Sequence, residues 1–258
     1  MERLLRTYVA LVYAFMYLPV AVVALFSFNS SEMLAFPMTG FTLGWYDVAI
    51  HDSRLLGGFL NALTIAAPTA AIATTLGAMA ALALTRRRFR GWTLFAALLI
   101  VPFFIPKIIL AVADVIAMAA LGVPHGVPAI IAAQSLIILP FSAMVIASVL
   151  IRLDRRLEEA AADLGASGWQ VFTRVQLPLM RNGLIASFFI AFVLSTSEYL
   201  VTSFVSGRTQ PLAIMIASDF RFRLSPKLDA LATLIVSANV LLVAASELVR
   251  RRAKGAVG

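Results

Sequence analysis

"EEAAADLGASGWQVFTRVQLPL", residues 158–179, lies between two long apolar runs of a 258-residue chain. It carries too many charges to cross a bilayer, and its spacing is too regular for a plain connection. Leu157, Ala160, Ala161 and Leu164 fall on one helical face, with Glu158, Glu159 and Asp163 around its flank. Asp154 is placed to cap a first short helix, and Gly165 to end it as the residue that tolerates left-handed backbone. Ser167 followed by Gln170 has the spacing of a capping box, which predicts a second helix running to Pro178. The result is a knob of two angled helices that lets a partner backbone come close and suits a basic partner surface. The plainer alternative is an amphipathic hairpin resting on lipid, which anionic headgroups would oppose by repelling the acidic side chains.

The surrounding chain is built for a membrane. It is 61% hydrophobic and 13% charged, about half the charged share of an average soluble domain. Apolar runs at 7–28, 59–84, 92–121, 127–150, 183–206 and 228–249 predict about six transmembrane helices, each near or above the roughly 20 residues a crossing needs. The fold class is therefore an all-α polytopic membrane protein, read as a single transmembrane domain over 1–258 with its long loop at 151–182. Pro102 and Pro106 predict a kink or break in the third run. The polar stretch 29–58 reads as an extramembrane loop with a short surface helix around "TLGWYDVAI", and Asn61 as a cap of the second span. The first run, Thr7 to Phe28, is longer than a signal h-region and has no small-x-small site, so no cleavable signal is expected.

Most of the 21 basic residues fall on one side if both termini are cytoplasmic. The inner group includes Arg3, Arg6, Arg86, Arg90, Arg155 and Arg156, whereas Arg54, Arg208, Arg221, Arg223 and Lys227 lie outside. The net charge of +8 is thus topological, and its short, scattered clusters argue against nucleic acid as a partner. With no cysteine, disulfides and thiolate chemistry are excluded. His51 and His125 lack metal-ligand spacing, so no metal site is expected.

Charged groups inside spans are costly and usually line a watered route or pair with one another. Lys107 and Asp114 lie two turns apart on one face of the third span. Ser195, Thr196, Ser197, Glu198 and Tyr199 cluster inside the fifth. Either Glu198, Lys107, Asp114, Ser195 and Ser197 border a solute route, or the hydroxyls bond their own helix and Lys107 balances Glu198.

The spacing Glu159-Ala160-Ala161, three residues, Gly165, nine residues, then Val175-Gln176-Leu177-Pro178 resembles the EAA loop of ABC importer permeases at every position. With "YLPVAVVALFSFNSS", "RRRFRG" and "FVLSTSEYLVTSFVSG", the chain is similar over nearly its whole length to the second permease subunit of spermidine/putrescine-type importers. The resemblance implies a type I importer fold in the bacterial inner membrane, with both termini cytoplasmic. It implies that Glu159, Ala160, Ala161, Gly165, Leu177 and Pro178 couple the chain to a dimer of ABC ATPase subunits. A second homologous permease and a periplasmic or extracellular solute-binding protein complete the set of partners. No cofactor is expected on this chain, ATP and Mg being used by the ATPase. In agreement, its three lysines, Lys107, Lys227 and Lys254, follow no glycine, so there is no P-loop.

Polyamine permeases of this type tend to carry an acid where Lys107 stands, and paired acids where this chain has Ser197-Glu198. The expected solute is a polyamine or related amine-bearing compound; the alternative is a zwitterion or anion such as an amino-phosphonate or opine. From another class, an ion-coupled secondary transporter would show paired broken helices, and the sequence shows one, around Pro102–Pro106. An embedded enzyme is disfavoured by the missing catalytic constellation.

Overall fold

The computed structural model describes residues 2–32, 35–86, 89–222, 225–237 and 240. The chain divides into two compact units, one formed by residues up to Leu56 with those from Ile216, the other by Gly57–Met215.

In the first unit, α1 (Glu2–Phe26) carries charge only in its first turns, at Glu2, Arg3 and Arg6, is apolar over most of the remainder and has no buried residue, as a helix facing lipid would. The expected surface helix is α2 (Gly44–His51). His51 Nδ1 lies 3.1 Å from the Asp47 carboxylate, a pairing one turn apart that the sequence reading passed over. The second span, α3 (Ser53–Arg86), begins earlier than predicted. Asp52 Oδ1 accepts the amides of Arg54 at 2.8 Å and Leu55 at 3.2 Å, and so caps the helix. Asn61 is therefore an interior residue and not a cap; its carbonyl accepts from Thr64 Oγ1 at 3.0 Å. The segment after the fifth span forms α11 (Leu212–Phe222). Two basic residues near it are paired: Lys227 with Asp52, and Arg54 with Asp219 of α11, 3.1 Å from Nη1. The sixth span starts as helix 226–237. The rest of it, with Arg87, Arg88, Arg223 and the basic tail, falls outside the described residues.

The second unit is a helical bundle centred on α6 (Val127–Leu150), which buries Ile130, Gln134, Ile138, Ile146 and Leu150 among others. Lipid is as apolar as leucine, so close approach of small residues must hold such a bundle together. A Cβ on Gly77 of α3 would stand 2.7 Å from Ser142 Cβ, so no larger residue fits there without displacing α6. The third span is broken as predicted, though far more sharply than a kink. Helix α4 (Trp92–Ile100), a short 3₁₀ turn and α5 (Lys107–Leu121) meet at 109°. Pro102 and Pro106 deprive the turn of donors, and Phe103 braces it edge-on against Phe141 of α6, 4.5 Å between ring centroids.

The pair still crosses once. Arg86 Nη2 reaches the Leu153 carbonyl at 3.4 Å, so α3 and α6 end together; Trp92 Nε1 on the Leu84 carbonyl starts α4 at that same end. The Gly126 amide bonds the Val205 carbonyl at the far end, where α5 has delivered the chain.

Candidate functional site

Two regions of the second unit gather the residues singled out by sequence. The first is the long loop. Asp154 Oδ1 accepts the Arg156 amide at 3.0 Å, and α7 (Arg156–Asp163) follows. Gly165 turns the chain with φ +84°, and no atom stands within 4 Å of where its Cβ would be. Backbone conformation, not space, therefore requires glycine there. The capping box forms: the Ser167 amide donates to Gln170 Oε1 at 2.8 Å, and the Gln170 amide to Ser167 Oγ at 3.3 Å, opening α8 (Gly168–Val171).

The second arm does not stop at Pro178, contrary to the sequence reading. It widens into a π-turn over Phe172–Gln176 and runs on as α9 (Leu177–Ser197), a continuous 30-residue helix from Gly168 to Ser197. The wide turn closes through the Leu177 amide on the Phe172 carbonyl. That offset ladder lets Pro178 sit in the first turn of α9, where its missing donor is tolerated. The knob and the fifth span are thus one body.

The loop's outward face is apolar at its tip, where Leu164 is 90% exposed and Trp169 71%. Leu157, Glu159, Ala160 and Asp163 are exposed beside them, Ala161 is half-buried, and Leu177 and Pro178 are exposed at the junction. Glu158 departs from the expected acidic flank. Its carboxylate turns inward, 2.8 Å from Arg86 Nε on one oxygen and accepting from Gln176 Nε2 at 2.8 Å on the other.

The second region is a helix break that periodicity hid. The predicted span 183–206 ends α9 at Ser197, passes through Glu198 in extended conformation (φ −75°, ψ 110°), and resumes as α10 (Leu200–Val205). Glu198 Oε1 accepts the Val201 amide at 3.1 Å, and its carbonyl accepts from Thr202 Oγ1 at 2.8 Å. Opposite lies Gln134 of α6, fully buried. Its Nε2 donates to Thr202 Oγ1 at 2.7 Å and its Oε1 accepts from Ser195 Oγ, so one side chain holds both sides of the break. A lone glutamine inside the run "IIAAQSLIILP" was the signal for this.

Lys107, the first residue of α5, meets Glu198 with Nζ 2.6 Å from Oε2. The breaks of the third and fifth spans are therefore joined to each other. Glu198 is 6% exposed by side chain and Lys107 59%. Asp114 does not join them: its Oδ2 is covered and without a hydrogen-bond partner. Ser197 is exposed, with its hydroxyl on the Val193 carbonyl of its own helix at 2.9 Å. Elsewhere, an apolar cavity of about 540 Å³ bordered by Leu76, Met79, Phe95, Leu98, Leu136 and Pro140 offers no charged group to an amine.

Among the described residues the protein is a helical bundle with membrane-length apolar helices and a helix–glycine–helix knob continuous with one of them. The family described as binding-protein-dependent transport system inner membrane component matches residues 73–255, and the chain belongs to it. It is 34% identical to the spermidine/putrescine transport system permease protein PotC of Escherichia coli (strain K12), over 99% of this chain and 98% of that one. It is 35% identical to the putrescine transport system permease protein PotI of the same strain, over 88% and 83%. A solved bacterial alginate ABC transporter in complex with an alginate pentasaccharide-bound periplasmic protein has the same fold, with TM-score 0.69 at 15% identity over 97% and 93% of the two chains. The chain is thus an inner-membrane permease subunit of an ABC importer with the type I fold, and ATP hydrolysis lies with separate subunits. The second helix break, which the sequence reading missed, therefore does not make this a secondary transporter.

Proposed function

We propose that the chain forms half of the translocation route for a small amine-bearing solute, paired with a second homologous permease and working as one permease domain. A solute-binding protein delivers the solute, and an ATPase dimer that binds ATP and Mg docks on the loop through Glu159, Ala160, Ala161, Gly165, Leu177 and Pro178. Both termini are cytoplasmic in this reading. The observation that carries it is the continuity of knob and span: closure of the ATPase would pull α9, and with it the break at Glu198. The names of the two Escherichia coli relatives support a polyamine as solute.

Glu198 and Lys107 are the route's charged contacts, with Ser197 and Asp114 along it, and Ser195 acts through Gln134. The Lys107–Glu198 pair also favours a second reading. Neither charge is free, so a polyamine must displace Lys107 from Glu198, whereas a zwitterion offers an ammonium to Glu198 and an anion to Lys107. Uptake by vesicles holding the complete importer, with labelled spermidine and a labelled amino-phosphonate, each with and without ATP, tests both. ATP-dependent uptake of spermidine supports the first, uptake of the zwitterion alone the second. ATP-independent uptake of either compound contradicts the proposal.

A further inference from the structure

Glu158 and Glu159 are adjacent carboxylates with opposite settings. Glu159 is exposed on the docking side of the loop. Glu158, in the first turn of α7, is 18% exposed by side chain and faces an Arg86 that is 9% exposed. Arg86 is the last residue of α3, and Gln176 the last of the π-turn before α9. One carboxylate therefore ties the docking helix to the end of one span and the start of another. Two further bonds tighten the first tie: Arg155 Nη2 donates to the Thr85 carbonyl at 2.6 Å, and Arg86 Nη2 to the Leu153 carbonyl at 3.4 Å. The carbonyls that end α3 lack partners within the helix and carry its negative pole, which suits Arg155.

We infer that Glu158 is a positioning residue of the coupling machinery: it makes α7, the end of α3 and the start of α9 move as one piece. The inference rests on the proposed docking of an ATPase to this loop. Covalent continuity through the Gly165 turn reaches α9 alone. Without the Glu158 clamp, α3 would be linked to the docking helix mainly through the Arg155 bond and ordinary packing. Arg86 Nε lies 2.8 Å from the Glu158 carboxylate without the alignment of a hydrogen bond, so the tie is a covered ion contact, and it holds because an uncompensated buried charge is costly. The clamp thus couples two spans to one input, and the α3 they include packs on α6 at Gly77, the central helix that carries Gln134.

The test uses the assembled importer with its ATPase subunits and binding protein. The chain has no cysteine, so Asp163→Cys and Met79→Cys allow spin labels on α7 and on the exposed side of α3. The distance between labels is measured without nucleotide and with a non-hydrolysable ATP analogue. In the parent the distance is expected to stay the same in both states, because α3 follows α7. In Glu158→Ala the analogue is expected to shift or broaden it by about 2 Å, and Arg86→Glu with Glu158→Arg is expected to restore the parent behaviour. A parent distance that already changes with nucleotide, or a Glu158→Ala distance that does not, overturns the inference. So does loss of ATPase co-purification in Glu158→Ala that the charge exchange fails to repair, since the clamp would then serve assembly and not transmission. A parent chain that never captures the ATPase overturns the proposed function and the inference with it.

Discussion

The Arg86–Glu158 and Lys107–Glu198 pairs use the same chemistry in different settings. At the loop both partners are largely covered, and the carboxylate has a second donor in Gln176. At the break the carboxylate is covered while the ammonium is open. A pair closed on both sides is a joint, since neither charge can find another partner without the fold opening. A pair with one open member is a contact whose cation can be exchanged. The burial of the two partners, more than the distance between them, separates the pair fixed within the fold from the pair whose cation can leave.

The largest effect is expected at the open pair. Lys107→Met strands a covered carboxylate and should destabilise the protein by about 3 kcal/mol, at the low end for a buried pair because Lys107 is half open. Thermal unfolding in detergent measures this, and adding Glu198→Gln should recover most of the loss. Parent-like stability of Lys107→Met would break the comparison, because the pair would then be no contact at all.

Gly165 comes next. Its Cβ position is empty, so alanine should do nearly the harm of a bulky residue, about 1–2 kcal/mol of left-handed strain. Asparagine, which tolerates that backbone, should be milder. Uptake by the complete importer should fall strongly in Gly165→Ala and be abolished in Gly165→Leu, with membrane insertion unchanged. Normal uptake by Gly165→Leu would remove the angle of the knob from the account.

A third pair sharpens the comparison from outside the bundle. The Lys227 ammonium holds the Asp52 carboxyl below its ordinary value, helped by the Leu55 and Arg54 amides and opposed by burial. A lowered folded-state value means that this contribution is complete above the unfolded value of about 3.9 and disappears as pH falls through the folded one. Unfolding of the parent should show a loss of about 1 kcal/mol on going from pH 6 to pH 3 that Asp52→Asn lacks. Equal acid sensitivity in the two proteins would contradict the assignment. The smallest effect is expected for Ser197→Ala, within about 0.5 kcal/mol, since that hydroxyl bonds only its own helix; a larger loss of stability would show a contact beyond it.

Much of this was legible in the sequence. The loop declared itself because caps and glycines act locally: Asp154, Gly165, Ser167 and Gln170 each do what residue type and spacing dictate. The break at Pro102–Pro106 was equally local. The break at Glu198 was not, because no proline or glycine marks it. It depends on Gln134, 64 residues earlier, and on Lys107, which the sequence allowed as either a route residue or a partner of Glu198. The inward turn of Glu158 was hidden for the same reason, since helical periodicity places it on a flank but cannot reveal Arg86 opposite. Pro178 misled by the reverse logic: as a helix breaker it ends an α-helix, but not one already widened to a π-turn.

The central claim is that the loop and the break at Glu198 are one mechanical unit. The most direct test is the accessibility of a single thiol, Ser197→Cys, to a membrane-impermeant reagent in the assembled importer, with and without a non-hydrolysable ATP analogue. The account predicts a labelling rate that changes with the analogue in the parent background and no longer changes when Gly165→Leu is added. A rate indifferent to the analogue in the parent, or a response that survives Gly165→Leu, would contradict it.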